Sequence, residues 1–176
     1  MIEVQVVDRD DNNIGRMEKL EAHRKGVLHR AISVLLFNSK REILLQRRAL
    51  HKYHTPGLWT NTCCSHPYPE EDPKIAATRR LKEEMGMEEE LEFVFKFQYK
   101  VDFDNGLIEH ELDHVFIGYS DETPHLNTDE VMAFHWANLN QLKKDILMSP
   151  ENYTFWFKLI MNDHFDHIQL KLNESL

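Results

Sequence analysis

Apolar residues occur along the chain in short runs, which either alternate with polar residues or are continuously apolar over a few positions. Both patterns indicate β-strands, half-buried in the first case and fully buried in the second. Turns rich in Asx, Gly or Pro residues separate many of these runs. The predicted strands are 2–8, 31–37, 42–47, 91–103, 107–119 and 130–136, and residues 58–65 are expected to be extended.

Three segments have the apolar spacing of helices. The clearest follows Asp72, which can cap a helix, has Pro73 at the first helical position, and is stopped by Gly86. Two further helices are predicted over 139–147 and 153–165. Few helices combined with several hairpins indicate the α+β class, with a mixed sheet flanked by helices in a single domain.

The amino-acid composition excludes several classes of function. A chain of 176 residues can bury a core without disulfides. The two cysteines, Cys63 and Cys64, are adjacent and cannot form an ordinary disulfide framework, which favours a reducing compartment. No signal peptide or membrane span is visible, so we expect a cytoplasmic protein. The net charge of −9 argues against a general binder of nucleic acid or anionic membranes.

The charge is unevenly distributed. Residues 16–52 carry a net charge of +7, and the remainder carries −16. Arg48 and Lys52 would share a face at the end of a predicted strand, and such residues clamp phosphate oxygens. This pattern fits either a local anion site on an acidic protein or an ordinary solvated face and strand end.

Cys64 and His66 would point to the same side of an extended segment, and Cys63 to the other. A thiol with a suitable neighbour is a candidate for chemistry. The alternative is that both cysteines are small buried core residues.

Three acidic residues, Glu109, Glu111 and Asp113, would share one face of a strand. Carboxylates in this arrangement repel one another unless a cation joins them, so they could hold a hard metal ion or include a general acid or base. A charged, solvent-facing strand edge is the alternative. His23 and His29 flank a Gly-containing loop that could bring them together, whereas the remaining histidines except His66 have no motif around them and are expected to be structural or surface residues.

The spacing from Ser65 to Met87 resembles the Nudix box, G-x5-E-x7-R-E-U-x-E-E-x-G-U, where U is aliphatic. The matching positions are Glu71, Arg79, Leu81, Glu83, Glu84, Gly86 and Met87. Ser65 replaces the first Gly, and Arg80 replaces the Glu that follows the Arg. In the Nudix family these glutamates bind Mg²⁺ to split a nucleoside diphosphate linkage, so Arg80 weakens the prediction of a hydrolase.

A more specific resemblance covers the chain from Lys19 to Trp156, which is similar to type I isopentenyl diphosphate isomerases, a branch of the Nudix superfamily. Residues 58–67, LWTNTCCSHP, carry most of it. Further matches are the segments 20–23, 28–31, 46–49, 109–111 and 130–132. The resemblance implies one Nudix-like domain over 1–176, with a core of about 27–160 and an N-terminal segment 1–26 that contributes Lys19 and His23.

The resemblance also implies the site residues. The ligands of a main divalent ion (Mg²⁺, Mn²⁺ or Zn²⁺) would be His23, His29, His66, Glu109 and Glu111. A second Mg²⁺ would enter with the substrate diphosphate and be held with the help of Glu84. The substrate-binding residues would be Lys19, Arg48, Lys52, Ser65 and Trp156. The catalytic residues would be Cys64, Glu111 and Tyr99.

The implied reaction is a 1,3-allylic proton shift between isopentenyl and dimethylallyl diphosphate, in isoprenoid biosynthesis. Glu111, assisted by the Tyr99 phenol, would protonate the alkene, and Cys64 would remove a proton from C2. Trp156 would stabilise the intermediate carbocation. The expected partner is this small molecule, with no nucleic acid or membrane, and the protein is expected to be a monomer.

Two rival functions are a Nudix-type diphosphate hydrolase and a non-catalytic binding module on the same fold. A hydrolase has no need of Cys64 or the E-x-E strand, and Arg80 stands where it would need a glutamate. A binding module would tolerate loss of Cys64 or Glu111, and both are present.

Overall fold

A mixed β-sheet with five helices around it forms the frame of the molecule, as seen in a computed structural model that describes residues 1–175. The strands are β1 (Glu3–Val7), β2 (Asn13–Glu18), β3 (His29–Phe37), β4 (Glu42–Arg48), β5 (Trp59–Thr60), β6 (Cys63–Ser65), β7 (Glu92–Asp102), β8 (Ile108–Tyr119) and β9 (Val131–Asn138). The helices are α1 (Lys19–Lys25), α2 (Pro73–Met85), α3 (Leu139–Met148), α4 (Phe155–Asp163) and α5 (Phe165–Glu174). The α+β class and the single domain are confirmed.

Strand β3 lies at the centre of the sheet. It pairs in parallel with β8 over its whole length and antiparallel with β1, β4 and β6. Strand β7 extends the sheet beyond β8, and β9 and β5 pair with β4. Because β6 and β8 both pair with β3, the segments around Cys64 and Glu111 are aligned by the same strand.

Both faces of β3 are buried, which explains its continuous apolar sequence. Leu35 and Phe37 belong to a core that includes residues of α3, α4 and α5. Val34 and Leu36 belong to a second core under α2. The predicted ends of α2 are confirmed: the Asp72 side chain accepts hydrogen bonds from the first turn, and Gly86 adopts φ +64°.

Several elements differ from the sequence prediction. Strand β2 and helix α1 were not predicted, and α1 extends to Lys25, so that the Gly-containing loop expected between His23 and His29 is confined to residues 26–28. The predicted helix 153–165 is shorter: α4 ends at Asp163, and α5, also not predicted, follows. The extended segment 58–65 forms two short strands separated by a bend.

Candidate active site

Glu109, Glu111 and Asp113 point into the protein from β8, and all three are buried. The prediction that they share a face is confirmed. The alternative of a solvent-facing edge is wrong, because β8 pairs with β3 on one side and with β7 on the other. Three buried carboxylates on one strand repel unless protons or cations compensate them.

Three histidines from different elements surround Glu111. His23 comes from α1, His29 begins β3, and His66 follows β6. The distances from Glu111 Oε1 to the Nε2 atoms are 2.9 Å for His66, 3.6 Å for His29 and 3.7 Å for His23. Each of these four residues has one nitrogen or oxygen atom that lies within 4.8 Å of those of the other three, so the group has the size of a metal site.

The hydrogen bonds of two histidines fit the binding of a cation. His23 Nδ1 lies 2.7 Å from the Lys19 carbonyl and His29 Nδ1 lies 2.8 Å from the Val27 carbonyl. Each Nδ1 therefore donates, which leaves Nε2 as the ring atom of each histidine that faces Glu111. Both Nε2 atoms are buried and have no hydrogen-bond partner within residues 1–175. Burial lowers the pKa of His66 to about 3, so the ring of His66 is neutral and able to ligate at neutral pH.

Glu109 lies beside this cluster, within 4.8 Å of ligand atoms of His23 and His54. The Tyr99 hydroxyl links the two glutamates, at 3.0 Å from Glu109 Oε2 and 2.7 Å from Glu111 Oε2. Burial and the charge of Glu111 raise the pKa of Glu109 well above its usual value. Burial also raises the pKa of Glu111, but His66, His23 and His29 lower it by more, so Glu111 is ionised.

Of these residues, His66, Glu109, Glu111 and Asp113 line a cleft with about 470 Å³ of empty space. Its cationic wall contains the predicted diphosphate-binding side chains Lys19, Arg48 and Lys52, and Ser65 also lines it. Burial and neighbouring Arg80 lower the pKa of Lys19, and burial lowers that of Lys52. Lys19 thus lies where an anion would relieve an unfavourable concentration of positive charge, whereas Lys52 is already paired with Glu130.

Cys64 lines the cleft, whereas Cys63 is fully buried in the core under α2. The two cysteines therefore point to opposite sides, as the strand alternation predicted. Cys64 Sγ lies 3.7 Å from Arg48 Nη1. Burial raises the pKa of Cys64 to about 12 although Arg48 acts in the opposite direction, so the side chain is a thiol at neutral pH.

Trp156 packs against Arg48 of the cationic wall. Its indole Nε1 donates to Asn61 Oδ1 at 3.1 Å, and the Arg48 guanidinium carbon lies 5.4 Å from its ring centroid. The ring face therefore already contacts a cation in this structure.

Glu84 reaches the cleft from α2 and is buried. It accepts hydrogen bonds from Arg80 at 2.5 Å and from Gln46 at 2.8 Å. In contrast, Glu71 of the same motif forms a two-point ion pair with Arg79 outside the cleft. Of the motif's acidic residues, Glu84 is the one that the structure brings to the candidate site.

Six further cleft residues were given no role by the family resemblance: Ile32, Ser33, Tyr53, His54, Arg80 and Asp113. His54 was expected to be a structural or surface residue; it is buried 3.3 Å from Glu109 and is therefore not a surface residue. Nothing in the local sequence signals this, since the contact joins the loop after β4 to the distant strand β8. Asp113 was identified by strand alternation together with Glu109 and Glu111, although the family resemblance gave it no role.

The sequence profile of the NUDIX domain matches residues 27–157. A crystal structure of a Deinococcus radiodurans protein superimposes with a TM-score of 0.70 at 18% identity, covering 83% of this chain and 89% of that one. The fold and the profile therefore define a NUDIX-domain protein.

Curated relatives make the assignment more specific. The chain is 50% identical to an isopentenyl-diphosphate Delta-isomerase of Pectobacterium atrosepticum, covering 90% of this chain and 89% of the relative. It is 51% identical to isopentenyl-diphosphate Delta-isomerase 2 of Aromatoleum aromaticum, covering 88% and 82%. The chain belongs to the type I isopentenyl-diphosphate isomerase family within the NUDIX superfamily. None of the helices in its described part has the length and apolar character that crossing a membrane would require.

Proposed function

We propose that this protein interconverts isopentenyl and dimethylallyl diphosphate by a 1,3-allylic proton shift. The observation that carries the proposal is the presence of two proton-handling groups in one cleft, the Cys64 thiol and the Glu111 carboxylate with its Tyr99 partner. The shift adds one proton at the terminal alkene carbon and removes one from C2, so acid and base must serve the same substrate.

The diphosphate would be bound by Lys19, Arg48 and Lys52, with Ser65 beside them. Ammonium and guanidinium groups suit phosphate oxygens, and partial burial strengthens the interaction. Glu84 would help to hold a Mg²⁺ ion that enters with the substrate, an assignment supported by its position in the cleft. The hydrocarbon part would then lie toward Cys64 and Trp156, where water is excluded and a carbocation survives longer.

His23, His29, His66, Glu111 and Glu109 would hold the main divalent ion (Mg²⁺, Mn²⁺ or Zn²⁺), since unpartnered imidazole nitrogens meet carboxylates there. When bound, such an ion supplies positive charge that fixes the carboxylates in place. With one proton moved from the Cys64 thiol to the Glu111 carboxylate, Glu111 protonates the alkene while hydrogen-bonded to Tyr99 at 2.7 Å, and the Cys64 thiolate removes the proton from C2. With that proton left on the thiol, Cys64 is the acid and Glu111 the base, which is the assignment for the reverse reaction.

Trp156 would stabilise the carbocation through its ring face, a contribution on the order of 2 kcal/mol in a desolvated site. Because Arg48 lies 5.4 Å from the same ring, the substrate cation would need a part of the face that Arg48 leaves free. The diphosphate would draw Arg48 toward its oxygens and help to clear the ring.

The test is incubation with isopentenyl diphosphate, Mg²⁺ and Mn²⁺ in D₂O, followed by NMR. Deuterium incorporated into dimethylallyl diphosphate supports the proposal. Release of inorganic phosphate or diphosphate without the isomer would instead indicate a hydrolase, and binding without turnover would indicate a binding module.

We also propose that the protein works as a cytoplasmic monomer on this small-molecule substrate, without nucleic acid. Light scattering coupled to gel filtration tests the oligomeric state, and cell fractionation tests the location.

A further inference from the structure

His54 is a buried imidazole in the loop between β4 and β5, with 7% of its surface exposed. Its ring stacks on Phe103, with centroids 5.6 Å apart and planes inclined by 9°. The same ring stacks with that of His23, with centroids 5.9 Å apart, and makes an edge-to-face contact with Trp156, with centroids 6.1 Å apart. These rings restrict the orientation of the imidazole plane.

The backbone of this loop is also held in place. Arg48 Nη2 donates to the His54 carbonyl at 3.4 Å. Asn105, in the turn between β7 and β8, donates to the Tyr53 carbonyl at 3.1 Å. Ring and backbone are therefore both fixed with respect to β8, where Glu109 lies.

The ring nitrogen Nδ1 of His54 lies 3.3 Å from Glu109 Oε1 and 3.1 Å from Thr55 Oγ1. The other carboxylate oxygen of Glu109 accepts from the Tyr99 hydroxyl at 3.0 Å. Glu109 is thus flanked from two sides: the Tyr99 phenol donates to one oxygen, and the His54 imidazole lies 3.3 Å from the other, while the hydrogen bond of His54 Nδ1 in this structure is to Thr55. When Glu109 is ionised, an N–H at His54 Nδ1 is the group that can donate to it.

We propose that His54 is a positioning residue, whose Nδ1–H holds the Glu109 carboxylate toward the three-histidine cluster and thereby raises the affinity for a divalent ion. His54 is not itself a ligand in this proposal. Groups that orient metal ligands typically change metal affinity by about 10- to 100-fold when removed. The inference rests on the proposed metal site and adds a residue to its support.

Two substitutions separate the hydrogen bond from the stacking. His54→Phe keeps a ring between Phe103 and His23 but removes the donor. His54→Asn removes the ring but places an amide N–H close to the Nδ1 position. His51→Phe, on an exposed residue of the same loop, is the matched control.

The readout is Mn²⁺ binding to the substrate-free protein, measured by electron paramagnetic resonance, with circular dichroism to verify folding. We expect His54→Phe to weaken Mn²⁺ binding by about 10-fold or more, His54→Asn by less than about threefold, and His51→Phe to have no effect. Wild-type affinity in His54→Phe, or equal losses in His54→Phe and His54→Asn, would overturn the proposal.

A double-mutant cycle gives a second measurement. In a Glu109→Gln background, His54→Phe should have little further effect on Mn²⁺ binding, and an undiminished loss there would contradict the proposal. If His54→Phe does not fold, His54→Leu serves as the donor-free variant. A wild-type protein that binds no Mn²⁺ refutes the metal site and this inference together. One that binds Mn²⁺ but does not isomerise the substrate refutes the proposed function alone.

Discussion

Arg80 Nη2 lies 2.5 Å from Glu84 Oε1. The position where the Nudix box has another glutamate is therefore occupied by a cation that pairs with Glu84. The negative charge of Glu84 raises the pKa of Arg80, although burial acts in the opposite direction. Arg80 Nη2 also lies 3.6 Å from Glu130 Oε1. Arg80 therefore reduces the negative charge of this part of the cleft. A helix with glutamate at that position would instead present several free carboxylates to a metal ion.

Arg80→Met should destabilise the protein, because it leaves buried Glu84 without its cation while preserving most of the side-chain volume. We expect the free energy of unfolding to fall by about 1–3 kcal/mol, limited by the partial exposure of Arg80. Urea denaturation measures it. Lys82→Met on the exposed face of α2 is the control and should change little, and equal effects of both would contradict the role of the buried pair.

Cys64→Ala should remove isomerisation with little effect on folding, because the thiol lines the cleft and is only partly buried against the neighbouring core. We expect a loss of about 10²–10⁴-fold in kcat, the range for a general acid or base. Cys63→Ala is the matched control. The Cys63 thiol packs in the core under α2, so its removal should affect stability more than rate. Steady-state kinetics in both variants decide the matter, and a fully active Cys64→Ala protein would refute the assigned role.

Tyr99→Phe should lower kcat, because it removes the hydroxyl that links Glu109 and Glu111. We expect a loss on the order of 10²-fold if this hydroxyl passes on a proton, with KM nearly unchanged. The control is Tyr68→Phe, on an exposed tyrosine far along the chain from the glutamates. A Tyr99→Phe protein with normal kcat and weaker Mn²⁺ binding would indicate a purely structural role.

A divalent ion should stabilise the folded protein, since the His and Glu cluster exists only in the native state. At a Mn²⁺ concentration about 100 times the Kd, we expect about 2.7 kcal/mol of stabilisation, seen as a rise in Tm. Chelation should reverse the rise and abolish activity. His29→Ala should remove the Mn²⁺-dependent shift, whereas His51→Ala should retain it; a shift that survives His29→Ala would argue against the cluster.

Asp11 should make stability depend on acidic pH. Burial raises its pKa, but hydrogen bonds from Arg30, Lys96 and His114 lower it by more, so the folded value is below the usual 3.8. Its stabilising contribution is therefore complete above about pH 5 and is lost as the pH falls through the folded pKa.

Asp11→Asn tests this contribution with minimal change in shape, because Asn tolerates the backbone φ of +68° at this position. The wild type should be more stable than the variant at pH 7, and the difference should shrink at pH 3. Asp10→Asn, on the exposed neighbouring residue, is the control. A difference in Tm that does not depend on pH would contradict the predicted linkage.

Local sequence signals identified much of this fold and site. The cap at Asp72, the stop at Gly86 and the opposite directions of Cys63 and Cys64 follow from residue-level rules, and the structure bears them out. The family resemblance identified residues that the structure gathers in and around one cleft. Their individual roles remain predictions.

Other features depend on contacts between distant parts of the chain. Helix α1 has only seven residues, too few for a clear apolar period, and packing of Ala22 and His23 accounts for its formation. The position of His54 beside Glu109 requires the β4–β5 loop to meet β8. No local pattern encodes such a meeting.

The pairing of β3 has a consequence for attempts to redesign this protein. Ser33 is paired with Cys64 and His29 with Glu111, so a single strand sets the spacing between the thiol, the carboxylate and a metal-site histidine. One residue inserted between His29 and Ser33 would reverse which side chains face the cleft on part of β3 and slide the two neighbouring strands relative to each other. Surface loops can therefore be exchanged between relatives more safely than the length of this strand can be altered.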